Sequence, residues 1–167
     1  CLAPASVNAH THLELSHLAD KTRWGQGFTA WLQSLVPLLG AAPQTDAVEN
    51  ACASLALYGT LYVGNITGSL PGGTVLADSA CNEAGLTASH FCEWFGYDAP
   101  FADNERPWPP RCRQALADDP FLMARCAPGG HALYSTGPEI LAAARQDCAR
   151  MGRVFSFHLA ESPEETQ

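Results

Sequence analysis

Positive charge is scarce in this chain. Of its 167 residues only 9 are Lys or Arg, against 17 Asp or Glu, and the formal net charge is −8. Nucleic acids and anionic membrane surfaces are gripped through basic patches, so neither is expected as a partner. Long apolar runs are missing too: none approaches the roughly 18–20 residues that cross a bilayer. The opening "CLAPAS" has neither a basic stretch nor the apolar segment of a secretory signal. The seven cysteines (Cys1, Cys52, Cys81, Cys92, Cys112, Cys126 and Cys148) include no C-x-x-C pair and are odd in number. That speaks against a zinc ribbon, a dithiol redox motif or a cysteine-rich interaction module. Most lie in apolar segments, where free cysteine behaves as a small buried hydrophobe. A reducing, cytoplasmic setting is therefore expected. No internal repeat or low-complexity tract occurs. The first residue is Cys and not Met, so the true start is expected to be absent or processed.

What is present is enough apolar residue, 47%, for one globular domain at this length. Residues 6–10, "SVNAH", read as a buried strand. Phe28, Trp31, Leu32, Leu35, Val36 and Leu39 recur at helical spacing. Asp46 is placed to cap a helix running to about Leu57, with Val48, Ala51, Cys52 and Leu55 on one face. Strands are predicted over 60–66, 87–96, 121–127 and 153–160. Helices are predicted over 74–85 and 111–118, with a proline-rich loop over 99–110. Thr136 and Glu139 have capping-box spacing before a helix striped by Ile140, Leu141, Ala144, Cys148 and Met151, which Gly152 ends. Strand and helix alternate as in a parallel βα series. The strands are continuous apolar runs, as strands covered on both faces are. Ser162, Pro163 and Glu165 read as the opening of one more helix, and the covering helix due after the last strand is not present in the sequence.

Three clusters carry chemistry. His10 and His12 stand two apart at the end of the first strand, so their side chains share a face and both rings can reach one divalent ion. H-x-H alone is a weak pattern. His158 ends the last strand, and Glu161, three residues on, has left it; a carboxylate there can lean over the ion as a general base or simply complement a helix start. His131 follows the fourth strand between small residues. Glu93 is also at a strand end. His17 and His90 are read as structural. Functional groups of a parallel βα barrel gather at the C-terminal ends of its strands, where His10, His12, Glu93, His131 and His158 all fall.

"LAPASVNAHTHLELS" (2–16), "GGHALYSTGPEIL" (129–141) and "FSFHLAESPEE" (155–165) resemble the amidohydrolase superfamily in its metal-dependent deaminase and chlorohydrolase branch, in order and in separation. The resemblance implies an α/β fold, a partial (β/α)8 TIM-type barrel with strands 1–5 and their helices. Residues 1–167 would be the N-terminal portion of an amidohydrolase barrel. It implies His10, His12 and His158 as ligands of one divalent metal, zinc before iron, Glu161 as proton shuttle, and His131 as a substrate contact. "VNAHTHLELS…WGQGFTAWLQSLV" and "HFCEWFG" are similar to the aminofutalosine deaminases, which makes Glu14 and Glu93 candidates for contacting a nucleoside. A solvated strand-end acid is the competing reading for each.

The activity implied is hydrolytic deamination of an aminated heterocycle, a purine, pyrimidine or adenine nucleoside such as aminofutalosine, through a metal-activated water. Dechlorination or another C–N hydrolysis with the same machinery is the alternative, and a catalytically inactive metal-binding fragment is the other. The superfamily's strand-6 histidine, strand-8 aspartate and small β domain have no counterpart here, so the chain is expected to be part of a longer protein and inactive alone. The partner is a small-molecule substrate. Open sheet edges would also favour pairing with a second copy, a homo-oligomer.

Overall fold

Four of the apolar runs form one sheet in the computed structural model of the chain, which describes residues 4–97 and 108–166. The strands are β1 (Ser6–Thr11), β2 (Thr60–Thr67), β3 (Thr87–Trp94) and β4 (Cys126–Gly130). They lie in the order β1-β2-β3-β4, all parallel. Parallel neighbours need a crossover each. The helices supply it: α1 (Phe28–Leu35) and α2 (Thr45–Leu57) before β2, α3 (Gly73–Glu83) before β3, and α4 (Pro110–Asp118) with α5 (Pro120–Arg125) before β4. α6 (Pro138–Arg150) follows β4. Among the described residues no helix is long and apolar enough to cross a membrane.

The core lies between the sheet and this helical layer. Val48 and Cys52 of α2 meet Ala77, Ala80 and Cys81 of α3 over Val63 and Ala88 of the sheet. Full burial of an aliphatic side chain such as Val48 is worth about 1.5–3 kcal/mol. A second cluster joins Cys92, Cys112, Leu116, Leu122 and Cys126, and a third joins Trp94 to Ile140 and Ala144 of α6. The six described cysteines are all free and buried.

Several local expectations are corrected. Residues 121–125 are helical, not extended. The Asp119 carboxylate accepts from the Phe121 and Leu122 amides at 2.9 and 3.0 Å, and Pro120 pre-sets the first helical residue; the strand starts at Cys126. Asp46 lies inside the first turn of α2, whose N-cap is Gln44. Thr136 caps nothing: its hydroxyl donates to the Trp94 carbonyl at 3.1 Å, and Gly137 is the N-cap of α6. The helix starting at Phe28 stops at Leu35 and tightens into a 3-10 turn over Val36–Leu38, because Pro37 cannot continue an α-helical ladder.

The predicted fifth strand is an extended segment joined to the end of β4 by one bridge, Ala132 to His158. Two backbone bonds join it to the end of β4: Gly130 N to Ser156 O at 3.0 Å and His158 N to His131 O at 2.7 Å. Pro163–Thr166 forms a 3-10 turn, with Glu165 accepting from the Glu161 amide at 2.7 Å rather than from Ser162. In the expected loop 99–110, residues 99–107 lie outside the described residues.

Candidate metal centre

β1 ends at Thr11, and the chain turns into a 3-10 segment over Leu13–Leu18. His10 and His12 therefore stand at the C-terminal edge of the sheet. The 153–160 segment, held to β4, delivers His158 to the same edge. Ring centroids of the three are 5.2 Å (His10–His12), 4.8 Å (His10–His158) and 5.3 Å (His12–His158) apart. One ring nitrogen from each lies within 4.8 Å of the others.

The donor set fits a divalent ion. His158 Nδ1 lies 3.1 Å from the His131 carbonyl, which can only accept, so the proton sits on Nδ1 and Nε2 keeps its lone pair. That Nε2 faces His12 Nε2 at 3.3 Å. Two nitrogens on one tetrahedral zinc at about 2.0–2.1 Å stand about 3.3–3.4 Å apart. His12 Nδ1 is buried and finds no hydrogen-bond partner among the described residues.

Electrostatics keep most of these rings uncharged at neutral pH. Burial, then the neighbouring imidazoles, push His12 down to about 3. Burial and His158 push His131 down to about 4. His10 is lowered by burial and His158 against Glu161. His158 goes the other way: burial pulls it down, but Glu93, Glu161 and the His131 carbonyl together raise it. Glu93 is 2% exposed and lies 3.1 Å from His158 Nδ1. That is an ion-pair distance, yet the N–H is aimed at the His131 carbonyl, and neither Glu93 oxygen receives an aligned hydrogen bond among the described residues. Burial, opposed by His158, lifts its carboxyl to about 6.

Two of the three rings, His12 and His158, open onto a cavity of about 600 Å³, a size suited to a small organic ligand. Its polar end is His12, His131, His158 and Glu161; its apolar wall includes Trp31, Leu32 and Leu35 of α1 with Leu15 and Leu18. Ala160, at φ +57°, turns the chain out of the extended segment, and Glu161 after it lines the same cavity. His131 stacks on Phe95 with centroids 4.6 Å apart. Ser135 Oγ donates to the Ala132 carbonyl and so accepts from His131 Nδ1 at 2.5 Å, which leaves His131 Nε2 as a free acceptor.

Glu14 is not brought to the cavity. It is wholly buried beneath the β2–α3 loop, where its carboxylate accepts from Thr67 Oγ1 at 2.8 Å and from the Ser69 and Leu70 amides at 2.7 and 3.0 Å. Those donors consume the group, and Gly73 is required beside it because a Cβ there would collide with the carboxylate. Sequence reasoning missed Tyr134, whose hydroxyl donates to Glu161 Oε2 at 2.6 Å; its only signal was proximity to His131. The stripe read as one face of an amphipathic helix supplies the cavity wall through Trp31, Leu32 and Leu35.

The same chain path occurs in larger solved proteins. An aminofutalosine deaminase of Helicobacter pylori in complex with methylthio-coformycin superposes with a TM-score of 0.78 at 24% identity, over 98% of this chain and 38% of that one. A second structure of an aminofutalosine deaminase of Helicobacter pylori gives 0.69 at 24% identity, over 97% and 36%. An adenosine deaminase of Xanthomonas campestris with bound zinc gives 0.70 at 20% identity, over 97% and 37%. The fold is a partial (β/α)8 barrel. At these identities the likeness establishes the fold alone, and the chain spans under two-fifths of the length of these structures. No protein-family model and no curated protein matches the chain.

Proposed function

We infer that this chain is the N-terminal portion of an amidohydrolase barrel and that the complete protein is a metal-dependent hydrolytic deaminase of an aminated heterocycle, with an adenine nucleoside as the favoured substrate class. The observation that carries this is the 3.3 Å approach of His12 Nε2 and His158 Nε2, with His10 in reach and a ligand-sized cavity on the open side. The names of the similar structures, two of an aminofutalosine deaminase and one of a zinc-bound adenosine deaminase, support the reading. Free buried thiols agree with a reducing, cytoplasmic setting.

On this reading His10, His12 and His158 hold one divalent cation, zinc before iron. When bound, such a cation supplies Lewis acidity that brings the pKa of a water toward neutrality. Glu161 takes a proton from water on the cavity side and returns it to a ring nitrogen of the substrate, which makes the amine-bearing carbon electrophilic. Tyr134 occupies Glu161 Oε2 and leaves Oε1 for that transfer. His131 Nε2 accepts a hydrogen bond from the substrate. The α1 wall excludes water around the heterocycle, and in that drier setting these polar contacts strengthen. Glu93 acts from behind His158, and Glu14 holds the fold.

The test is ammonia release from adenine-bearing nucleosides by the zinc-loaded full-length protein. Glu161→Gln is expected to slow it by about 10²–10⁴-fold, the usual worth of a general acid–base group, and the 167 residues alone are expected to bind the cation without turnover. Unchanged rates in Glu161→Gln, or no release from any aminated heterocycle, contradict the assignment.

A further inference from the structure

A buried polar relay crosses the sheet one layer beneath the histidines. Thr11, Asn65, His90 and Cys126 occupy one row of neighbouring register positions on β1 to β4. Asn65 and His90 are wholly buried, on a face they share with Val63, Thr67, Ala88 and Cys92. Asn65 Oδ1 accepts from the Leu13 amide at 3.0 Å. A backbone N–H can only donate, so the carboxamide is fixed with its Nδ2 toward His90 Nδ1, at 3.1 Å. His90 therefore carries its proton on Nε2 and donates it to Asp78 Oδ1 of α3, also at 3.1 Å. Arg125, the last residue of α5, grips both Asp78 oxygens at 2.7 and 2.5 Å. Each donor faces an acceptor, and turning over either the Asn65 carboxamide or the His90 ring breaks two bonds.

The relay terminates on the peptide that joins His12 to Leu13. His12 has φ −113° and ψ 76°, outside the extended values of a strand, so the sheet ladder does not hold it. Its peptide is held from both sides: the Leu13 amide by Asn65, and the His12 carbonyl by the Leu15 amide at 3.0 Å. Apolar residues would fill this face without desolvating an ion pair, so the stability argument for such a network is weak. What the network supplies is a single allowed orientation.

We propose that Asn65, His90 and Asp78 are positioning residues that fix the His12 ring for cation binding, acting through the Leu13 amide. This rests on the reading of His12 as a ligand. The relay runs Arg125–Asp78–His90–Asn65–Leu13, from the far end of α5 to the peptide beside the site. Residues that orient a ligand from behind typically carry about 10–100-fold in metal affinity.

The experiment measures zinc affinity by competition with a chromophoric chelator, the visible absorption of the cobalt(II)-loaded chain, and the melting temperature. Asn65→Leu and His90→Leu are expected to weaken zinc about 10–100-fold and to shift the cobalt spectrum. His90→Gln, which keeps one acceptor and one donor, is expected to restore both. Leu116→Ala, in the separate core cluster under α4, is expected to lower the melting temperature and leave affinity and spectrum unchanged. Should a leucine variant fail to fold, Asn65→Ser takes its place with the same expected result. Wild-type affinity and spectrum in the Asn65 and His90 variants overturn the positioning role alone, as does equal weakening in Leu116→Ala. A wild-type chain that binds neither metal overturns the metal centre itself, and the positioning role with it.

Discussion

His12 and His158 are 146 residues apart in sequence and present their Nε2 atoms to one another at 3.3 Å. No local contact accounts for this. β1 reaches the site through β2, and the His158 segment reaches it through the end of β4, so the whole four-strand register stands between the two rings. The alignment of two lone pairs at this distance is repulsive unless a proton or a cation lies between them.

Removal of either ring should therefore be felt first in metal binding. His12→Ala or His158→Ala is expected to weaken zinc by more than the roughly 10–100-fold that a supporting residue costs, while far-ultraviolet circular dichroism stays the same. Titration calorimetry checks this. Undiminished affinity in both variants would place the ion elsewhere.

Acid should destabilise the metal-free chain. His12 and His131, held down to about 3 and about 4, remain unprotonated when folded, whereas in the unfolded chain they charge near 6.5. Between those values the unfolded state binds more protons, so stability rises with pH. Glu93, held up to about 6 from 4.5, acts oppositely between those two values, and raised His158 favours the fold below its own pKa. Below about 4.5 Glu93 no longer opposes the trend. There Asp78 joins it: burial pushes this carboxyl up, but bonds from His90 and Arg125 outweigh that and hold it well below the usual range, so its contribution is lost as acid protonates it. Urea midpoints from pH 7 to 4 should fall. A level midpoint contradicts the two histidine shifts.

Glu14 should behave as a structural residue. Glu14→Ala strands the Ser69 and Leu70 amides, each orphaned group costing about 1–3 kcal/mol. Gly73→Ala forces a side chain against the same carboxylate, and overpacking of that kind costs about 1–3 kcal/mol. Denaturant unfolding measures both. A Glu14→Ala chain of wild-type stability would return the residue to consideration as a ligand contact.

The thiols supply a check on the core. The six described cysteines, buried and free, should not react with an aromatic disulfide reagent in the native chain and should all react in denaturant. Rapid native labelling of Cys52 or Cys81, identified by mass spectrometry, contradicts the packing of α2 on α3.

The parts legible in sequence were those written in periodicity and in strand-end chemistry. α2, β2, α3, β3 and α6 lie close to their predicted positions because their apolar runs and stripes are clear; β1 lies where expected too, but its residues, expected to be buried, are exposed or half-exposed. The 121–127 run was not legible. A short apolar stretch suits a strand or a helix equally, and the decision fell to the carboxylate and proline before it. Glu14 looked functional because a charged residue in an apolar segment is conspicuous; its partners are backbone amides of a loop more than fifty positions away, which no spacing rule reveals. His90 looked merely structural for the converse reason, since its partners come from β2 and α3. His10, His12 and His158 were readable because each sits beside a strand end, and a parallel sheet aligns those ends.

The most direct test is a crystal structure of the chain with zinc, located by anomalous scattering at the zinc edge. One peak is predicted, about 2.0–2.1 Å from His12 Nε2 and His158 Nε2, with His10 as the third protein ligand. A structure at full zinc occupancy with no peak between those two nitrogens, or with the rings turned apart, contradicts the metal centre.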